Sequence, residues 1–511
     1  MSTNGALWRQ VQDRLGNSRL ALPLIGIIYI AIVTWLVPRG TLDADEGFYC
    51  AAARRVMQGS LPYRDFGYTQ TPALAYLNGL VMEVTGFGFG RQRAVNAGWA
   101  LATLLVIYRL GCVVGDRYRA LIAVWVTAWS LPWIYNAMLG KAYGATGLFL
   151  SLAALAIYEQ WKYRPRTWLF AIAAAIAIGC RLTIAPMLGV LWLILIWRGP
   201  TIRDRVWAIV LPLVMGLVTL MPFFLADPEN FLFWTLEFHL SQTLTRRGDG
   251  PVGELIRLAP GAVILFVAST MAILVRFRQM RFPALGLYLA VFIGIAVHLS
   301  LRYSYGEYST PYVPLLILVS SVILFHWQVL RPFGILLLLA PAMHLIGVPP
   351  KISPWPDALP ATAEFVQQNT PEDGRILTPI PIVAYEAHRD VLSGLEMGKF
   401  ALTTELSAKR AHRLHLVTPE TLTDFVVQKH AAAVVMHVVN RRPTRWNFGW
   451  SVPSFRQPDA TRMQRFNDAL RKHYRIAFVR EPFVVMLPVD VGSADEEQSE
   501  GRPLNRDSAH L

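Results

Sequence analysis

Apolar runs near twenty residues long, separated by short arginine-bearing stretches, recur along the first two thirds of the chain. That is the length a helix needs to cross a hydrocarbon core of about 30 Å. The pattern predicts spans at roughly 20–37, 95–111, 120–136, 142–158, 167–180, 183–197, 206–225, 259–275, 283–299, 311–327 and 332–348, about eleven in all. The fifth and sixth are short and joined only by Cys180-Arg181-Leu182, so a broken or tightly hinged pair is an alternative reading. The first run has arginine flanks but no small-residue cleavage site and reads as a retained span.

The pattern changes after Pro349-Pro350 and Pro354-Trp355-Pro356. A helix-like run over 358–369 leads through the turn cluster Thr370-Pro371-Glu372-Asp373-Gly374 into a strand at 375–378. Residues 431–439 read as a buried strand, 462–474 as a helix, and 476–479 with 483–487 as a closing hairpin. The expectation is a small α/β domain over 350–490, followed by a polar tail, 491–511, with the composition of a disordered segment.

Composition agrees with the spans. Of 511 residues 54% are hydrophobic and only 16% charged, and the mean hydropathy is +0.38, which excludes a disordered chain and argues against a purely soluble one. The excess of 48 Lys+Arg over 34 Asp+Glu, a formal +14, could suggest nucleic acid. Its distribution says otherwise. With the N-terminus inside, the inner loops hold Arg9, Arg14, Arg19, Arg109, Arg117, Arg119, Lys162, Arg164, Arg166, Arg198, Arg203, Arg205, Arg276, Arg278, Arg281 and Arg331, against only Asp13, Asp116, Glu159 and Asp204. This is the positive-inside pattern; it puts residues 38–94, 226–258 and everything after about 349 outside, and makes membrane lipid rather than nucleic acid the partner of the basic charge. Cys50, Cys112 and Cys180 form no CxxC, so neither a disulfide framework nor a thiolate metal site is expected. His388, His412, His415, His430 and His437 invite a metal reading, but no carboxylate motif accompanies the i,i+3 pair His412/His415, and surface or helix-packing roles outweigh it.

Candidate chemistry sits in the first outer loop, where Asp43, Asp45 and Glu46 stand immediately outside the first span. The run from Glu46 to Met57 has helical composition, so the plain reading is that Asp45 or Asp43 caps a helix lying on the membrane surface. A Pro-Tyr turn and a second amphipathic stretch, 71–84, make the loop too organised for a mere connector. A carboxylate at the interface has a specific use. Moving a sugar from a lipid phosphate to a hydroxyl needs a base for the acceptor proton and positive charge for the departing phosphate. Cations that break the positive-inside trend are Lys141, Arg181, Arg246, Arg247 and Arg302, the last accompanied by Tyr303, Tyr305, Glu307 and Tyr308. Against this stands snorkelling of single cations to lipid headgroups.

The run from Asp43 through Gly111, with Asp45-Glu46-x-x-Tyr49, then Gly59-x-x-Pro62-Tyr63-x-Asp65 and the later Pro72, resembles the first outer loop and second span of the GT-C membrane glycosyltransferases. Within them it is most similar to the branch that includes the protein O-mannosyltransferases and the lipid A aminoarabinose transferases. The likeness extends in outline over the whole chain: Arg181-Leu182-Thr183 after a mid-chain span, a Tyr-rich outer loop with Pro311 and Pro314, and an outer α/β domain. The resemblance implies a polytopic α-helical membrane protein of GT-C type, with a transferase domain over 1–349, its catalytic first outer loop at 38–94, and an extracytoplasmic C-terminal α/β domain. It implies an inverting glycosyltransferase of the cell membrane that uses a polyprenyl-phosphate sugar donor and a glycan, lipid or protein acceptor. Asp45 is then the base and Glu46 its support. Asp43, Tyr49, Asp65, Lys141, Tyr143, Arg181, Arg246, Arg247, Arg302 and Tyr303 form the substrate-binding set. One departure matters: many relatives carry a further acid between the third and fourth spans, where this chain has Asn136-Ala137-Met138-Leu139-Gly140-Lys141. A divalent metal therefore stays open, with the balance slightly against it. A glycan transporter or flippase, an O-antigen ligase-like protein and a non-catalytic assembly protein are the rival classes.

Overall fold

The computed structural model describes residues 18–40, 43, 45–130, 132–159, 165–243, 260–276, 278, 282–300, 306–325, 355–437 and 460–489. The chain divides into two compact units, Met1–Pro356 and Asp357–Leu511.

The described part of the first unit is helical: α1 Ala21–Leu36, α2 Glu46–Met57, α3 Ala73–Thr85, α4 Phe89–Val114, α5 Arg117–Trp129, α6 Tyr143–Tyr158, α7 Thr167–Cys180, α8 Ala185–Arg198, α9 Ile202–Ala226, α10 Pro228–Leu232, α11 Phe238–Thr243, α12 Pro260–Arg276, α13 Phe282–Ser300 and α14 Val313–Leu324. By length and composition α4, α9 and α13 can each cross a membrane, and seven shorter apolar helices accompany them. The two extremes of burial explain their sequences. Every residue of α14 is buried, which fits a helix apolar on all sides at the centre of the bundle, whereas in α9 only Ala208 is buried. A capping box of Thr201 and Asp204 starts α9, and the Asp116 side chain caps α5 at the Arg119 N–H.

Ten of the expected spans have a helix, and the differences have local causes. The third stops at Trp129, where Ser130 turns extended two residues ahead of Pro132, and 132–136 form a π turn instead. The fifth and sixth are separate helices, broken at Arg181, which is extended, and resumed through a 3-10 turn, Leu182–Ile184. The stretch 332–348 lies outside the described residues. Helix α2, expected on the membrane surface, is buried at every position from Glu46 to Ala53 and packs on α3 and α4.

In the second unit, α15 (Trp355–Asn369), α16 (Pro381–Glu386), α17 (Ala408–Arg413), α18 (Pro419–Val427) and α19 (Ala460–His473) accompany five strands. These are β1 Arg375–Leu377, β2 Asp390–Val391, β3 Ala433–His437, β4 Tyr474–Arg480 and β5 Phe483–Pro488. The sheet order is β2-β1-β3-β5-β4. Strands β1 and β2 and strands β1 and β3 run parallel, Ile376 opposite Val391 and Ala433, while β5 runs antiparallel to β3 and to β4. Ile376, Leu377, Val434 and Val485 are fully buried at its centre. Helices α16 to α18 and the two-residue β2 were not expected; such short pieces show little periodicity.

Candidate active site

The site is built around the start of α2. Asp45 occupies the N-cap position but makes no side-chain cap bond. Asp43 does the local work instead: its Oδ1 accepts the Asp45 N–H at 2.9 Å, and its own N–H donates to Glu46 Oε2 at 3.0 Å. Capping therefore explains Asp43 and leaves the Asp45 carboxylate to be accounted for elsewhere.

Glu46 points inward. Arg93, one turn into α4, grips it with Nε to Oε1 at 2.8 Å and Nη2 to Oε2 at 2.6 Å, and both side chains are 0% exposed. The Gly140 N–H donates to Oε1 at 2.8 Å, so with Asp43 each carboxylate oxygen accepts two hydrogen bonds. Arg93 Nη1 reaches the carbonyls of Val37 and Gly40, which follow α1. Gln92 Nε2 donates to the Gly140 carbonyl at 2.7 Å, and a Cβ at Gly140 would come within 2.4 Å of that same nitrogen. This knot ties the end of α1, the starts of α2 and α4 and the turn before Lys141 together.

Lys141 emerges from that turn into a ring of acids. Its Nζ lies 2.7 Å from Asp43 Oδ2, 3.4 Å from Asp45 Oδ2 and 3.1 Å from Glu307 Oε1. The ammonium is 3% exposed, the three carboxylates 22–28%. Burial alone would lower the pKa of Lys141, but the three acids raise it well above its ordinary value and keep the group charged. Asp43 moves up from 3.8 to about 6, because burial, Asp45 and Glu307 together outweigh Lys141. Glu307 belongs to a short turn, Gly306–Ser309, which is tethered to the π turn by Asn136 Nδ2 on Thr310 Oγ1 at 3.3 Å.

Arg181 stands beside this ring and is held differently. Its guanidinium lies over the rings of Tyr143, at 5.0 Å, and Tyr308, at 4.4 Å, and Nε donates to Thr183 Oγ1 at 3.1 Å. It is 5% exposed, and among the described residues it forms no ion pair. Tyr143 joins the two cations, donating its hydroxyl to Glu307 Oε1 at 2.8 Å. Tyr49, buried and stacked on Phe48, feels the charges of Arg181, Asp45 and Lys141; burial raises its pKa.

Seven of the sequence-derived candidates thus gather here: Asp43, Asp45, Glu46, Tyr49, Lys141, Tyr143 and Arg181. Asp65 is engaged in a turn, accepting the Leu61 N–H at 2.7 Å and pairing with Arg64 at 2.8 Å. Arg246, Arg247, Arg302 and Tyr303 lie outside the described residues. Three participants were not singled out as site residues: Arg93, Glu307 and Tyr308. An Arg one turn into a span, in Arg91-Gln92-Arg93, was the available signal for the first. As for the histidines, α17 ends at Arg413 and His415 takes a left-handed turn conformation, φ 56°, so His412 and His415 share no helix face. No three His, Cys, Asp or Glu among the described residues stand where they could hold a metal ion.

No protein-family model and no curated protein matches this sequence. Solved structures do. The chain is similar to ArnT from Cupriavidus metallidurans bound to undecaprenyl phosphate, with a TM-score of 0.64 and 14% identity over 93% of this chain and 99% of that one. The apo form of the same protein gives a TM-score of 0.62 at 14% identity, covering 91% of this chain and 97% of that one. At this identity the likeness establishes the fold. The GT-C fold implied by the first-loop resemblance is the fold of this chain.

Proposed function

We propose that the protein is a membrane glycosyltransferase which moves a sugar from a polyprenyl-phosphate carrier to an acceptor hydroxyl on the outer face, with inversion at the anomeric carbon. The observation that carries this reading is the arrangement of Asp45. It sits at a helix N-cap without capping, 3.4 Å from a buried ammonium and beside a guanidinium caged by phenol rings. A partly exposed carboxylate beside a buried ammonium suits a base. A cation whose neighbours are rings rather than carboxylates suits an incoming anion. The ArnT structure that shares this fold holds undecaprenyl phosphate, which supports the same class of donor here.

In the reaction, Asp45 takes the proton of the acceptor hydroxyl as its oxygen bonds to the anomeric carbon. The bond from that carbon to the phosphate oxygen breaks, and its electron pair leaves with the polyprenyl phosphate. Arg181 meets the charge that grows there. Lys141, expected to help with the phosphate, is enclosed by Asp43, Asp45 and Glu307 and holds the acids in register instead. Asp43, Asp45 and Glu307 converge on the Lys141 ammonium, and no metal is assigned. The acceptor is a glycan, lipid or protein hydroxyl. About eleven spans, with the N-terminus cytoplasmic and the C-terminal domain extracytoplasmic, complete the proposed topology; Asp65 remains a candidate for orienting substrate.

Asp45→Asn tests the base. It is near-isosteric, and transfer from an undecaprenyl-phosphate-linked sugar should fall by about 10²–10⁴ while the melting temperature holds; normal transfer by the variant would remove the assignment. Chelation tests the ammonium. EDTA should change the rate less than about twofold, and a loss restored by Mg²⁺ or Mn²⁺ would overturn the metal-free reading.

A further inference from the structure

A second element bearing an imidazole packs on the first outer loop. After α9, the pieces Pro228–Leu232, Phe233–Glu237 and Phe238–Thr243 form one irregular helical arm. It is seated on the first outer loop. Trp234 is fully buried against Gly67, where a Cβ would lie 2.4 Å from the indole, and Phe231 meets Tyr63 edge-on at 5.0 Å. From this arm His239 brings Nε2 to 2.6 Å from the Thr69 carbonyl oxygen. A carbonyl only accepts, so Nε2 carries the proton of that bond and the neutral ring presents Nδ1 as an acceptor. Among the described residues Nδ1 has no hydrogen-bond partner. Two residues along, Thr71 Oγ1 donates at 2.6 Å to the Ile178 carbonyl, three residues before Arg181. Residues 69–71 therefore brace His239 against the strand of chain that carries the caged guanidinium. Arg64 and Asp65 on the loop, Asp227, Glu229 and Glu237 on the arm and Arg181 beyond α7 are charged groups of the surrounding elements. Of these, Arg181 is the one whose field bears on the ring; burial and Arg181 hold His239 below the ordinary histidine range.

We propose that His239 is a second anion-binding side chain of the donor site, taking a proton from solvent at Nδ1 and donating it in a hydrogen bond to the phosphate that settles on Arg181. The proposal rests on the assignment of the donor phosphate to Arg181. An anion there cancels the positive field that keeps the ring neutral and supplies an acceptor for a second N–H, so binding and protonation reinforce each other. Donor affinity then rises as pH falls.

The test is calorimetry of undecaprenyl phosphate binding to the full-length protein in nanodiscs, from pH 5.5 to 8, in buffers of different ionisation enthalpy. His239→Gln and His239→Arg both keep an N–H for Thr69, but the first is always neutral and the second always charged. Wild type should take up more protons on binding than either variant, by up to one. At pH 6 the glutamine variant should bind about tenfold more weakly than wild type, and at pH 8 the arginine variant should bind more tightly. The second ionisation of the phosphate and the titration of Asp43 occur in all three proteins and cancel in the comparison. Equal proton uptake in all three, or equal weakening in both variants at every pH, would overturn the proposal and leave His239 a strut. Arg181→Ala is the separate control: wild-type affinity in that variant would remove the phosphate assignment itself, whatever His239 does.

Discussion

Glu46 and Asp45 are neighbours in sequence, yet their carboxylates end in opposite kinds of surroundings. The Glu46–Arg93 knot is closed: both side chains are 0% exposed, and four N–H groups of the protein meet the four acceptor positions of the carboxylate. The side facing Lys141 and Arg181 is imbalanced: three partly exposed acids share one ammonium, and the guanidinium beside them is held by aromatic faces. Buried charge matched in number and geometry by protein groups organises the chain. Charge left in excess, or held by π faces and a hydroxyl in place of a carboxylate, keeps capacity for a ligand. Lys141 links the two regions, since the Gly140 backbone that positions it is bonded to Glu46 and Gln92.

The comparison breaks most visibly at Arg93. Arg93→Met leaves Glu46 buried with no counter-charge, and breaking a buried pair from one side costs about 3–5 kcal/mol. The melting temperature of the detergent-purified protein should fall sharply, with transfer lost because the fold is lost. Glu46→Gln with Arg93→Met removes both charges and should recover much of that stability without recovering full transfer. If Arg93→Met alone melted like wild type, the closed knot would not be the structural half of the pair.

A smaller effect is expected at Gly140, where the two regions meet. Alanine there drives its Cβ into the buried Gln92 amide, 2.4 Å away, and breaks the bond from Gln92 to the Gly140 carbonyl. Overpacking of this kind costs about 1–3 kcal/mol. The melting temperature should drop moderately, and transfer should fall further than stability alone explains, because Lys141 shifts with the turn. Transfer falling only in step with the folded fraction would mean that Lys141 needs no such placement.

What was legible in the sequence follows the same division. Lys141 and Arg181 stood out because they violate a statistical rule, cations at outer ends of spans, and the chemistry behind that rule is local. Asp45 stood out through a motif contained in five residues. Arg93 did not, because its meaning lies in a partner 47 positions away, and a lone arginine at a span end reads equally well as a lipid contact. Glu307 was seen only as a companion of Arg302; its place opposite Lys141 depends on two turns, 132–136 and 306–309, meeting in space. The short elements of the second unit escaped for a different reason, since two-residue β2 and six-residue α16 and α17 carry too few positions to establish a period.

The mildest change probes the imbalance itself. Asp43 moves up from 3.8 to about 6, first through burial and then through repulsion by Asp45 and Glu307, so it is ionised above that pH and neutral below it. The shift is upward, and the sign of its consequence follows. Lowering pH through about 6 removes one negative charge from beside Lys141, lets the ammonium act more fully on Asp45, and makes Asp45 a weaker base. The wild-type profile of kcat at saturating donor should therefore fall across this region. Asp43→Asn has that charge removed at every pH: its kcat at pH 7.5 should be lower by about tenfold at most, equivalent to about one pK unit, and its profile should lack the inflection near pH 6. A variant that kept the wild-type inflection near pH 6 would assign the titration to another group. It would also reduce Asp43 to what its bonds to the Asp45 and Glu46 ends of the turn already make it, a local brace for α2.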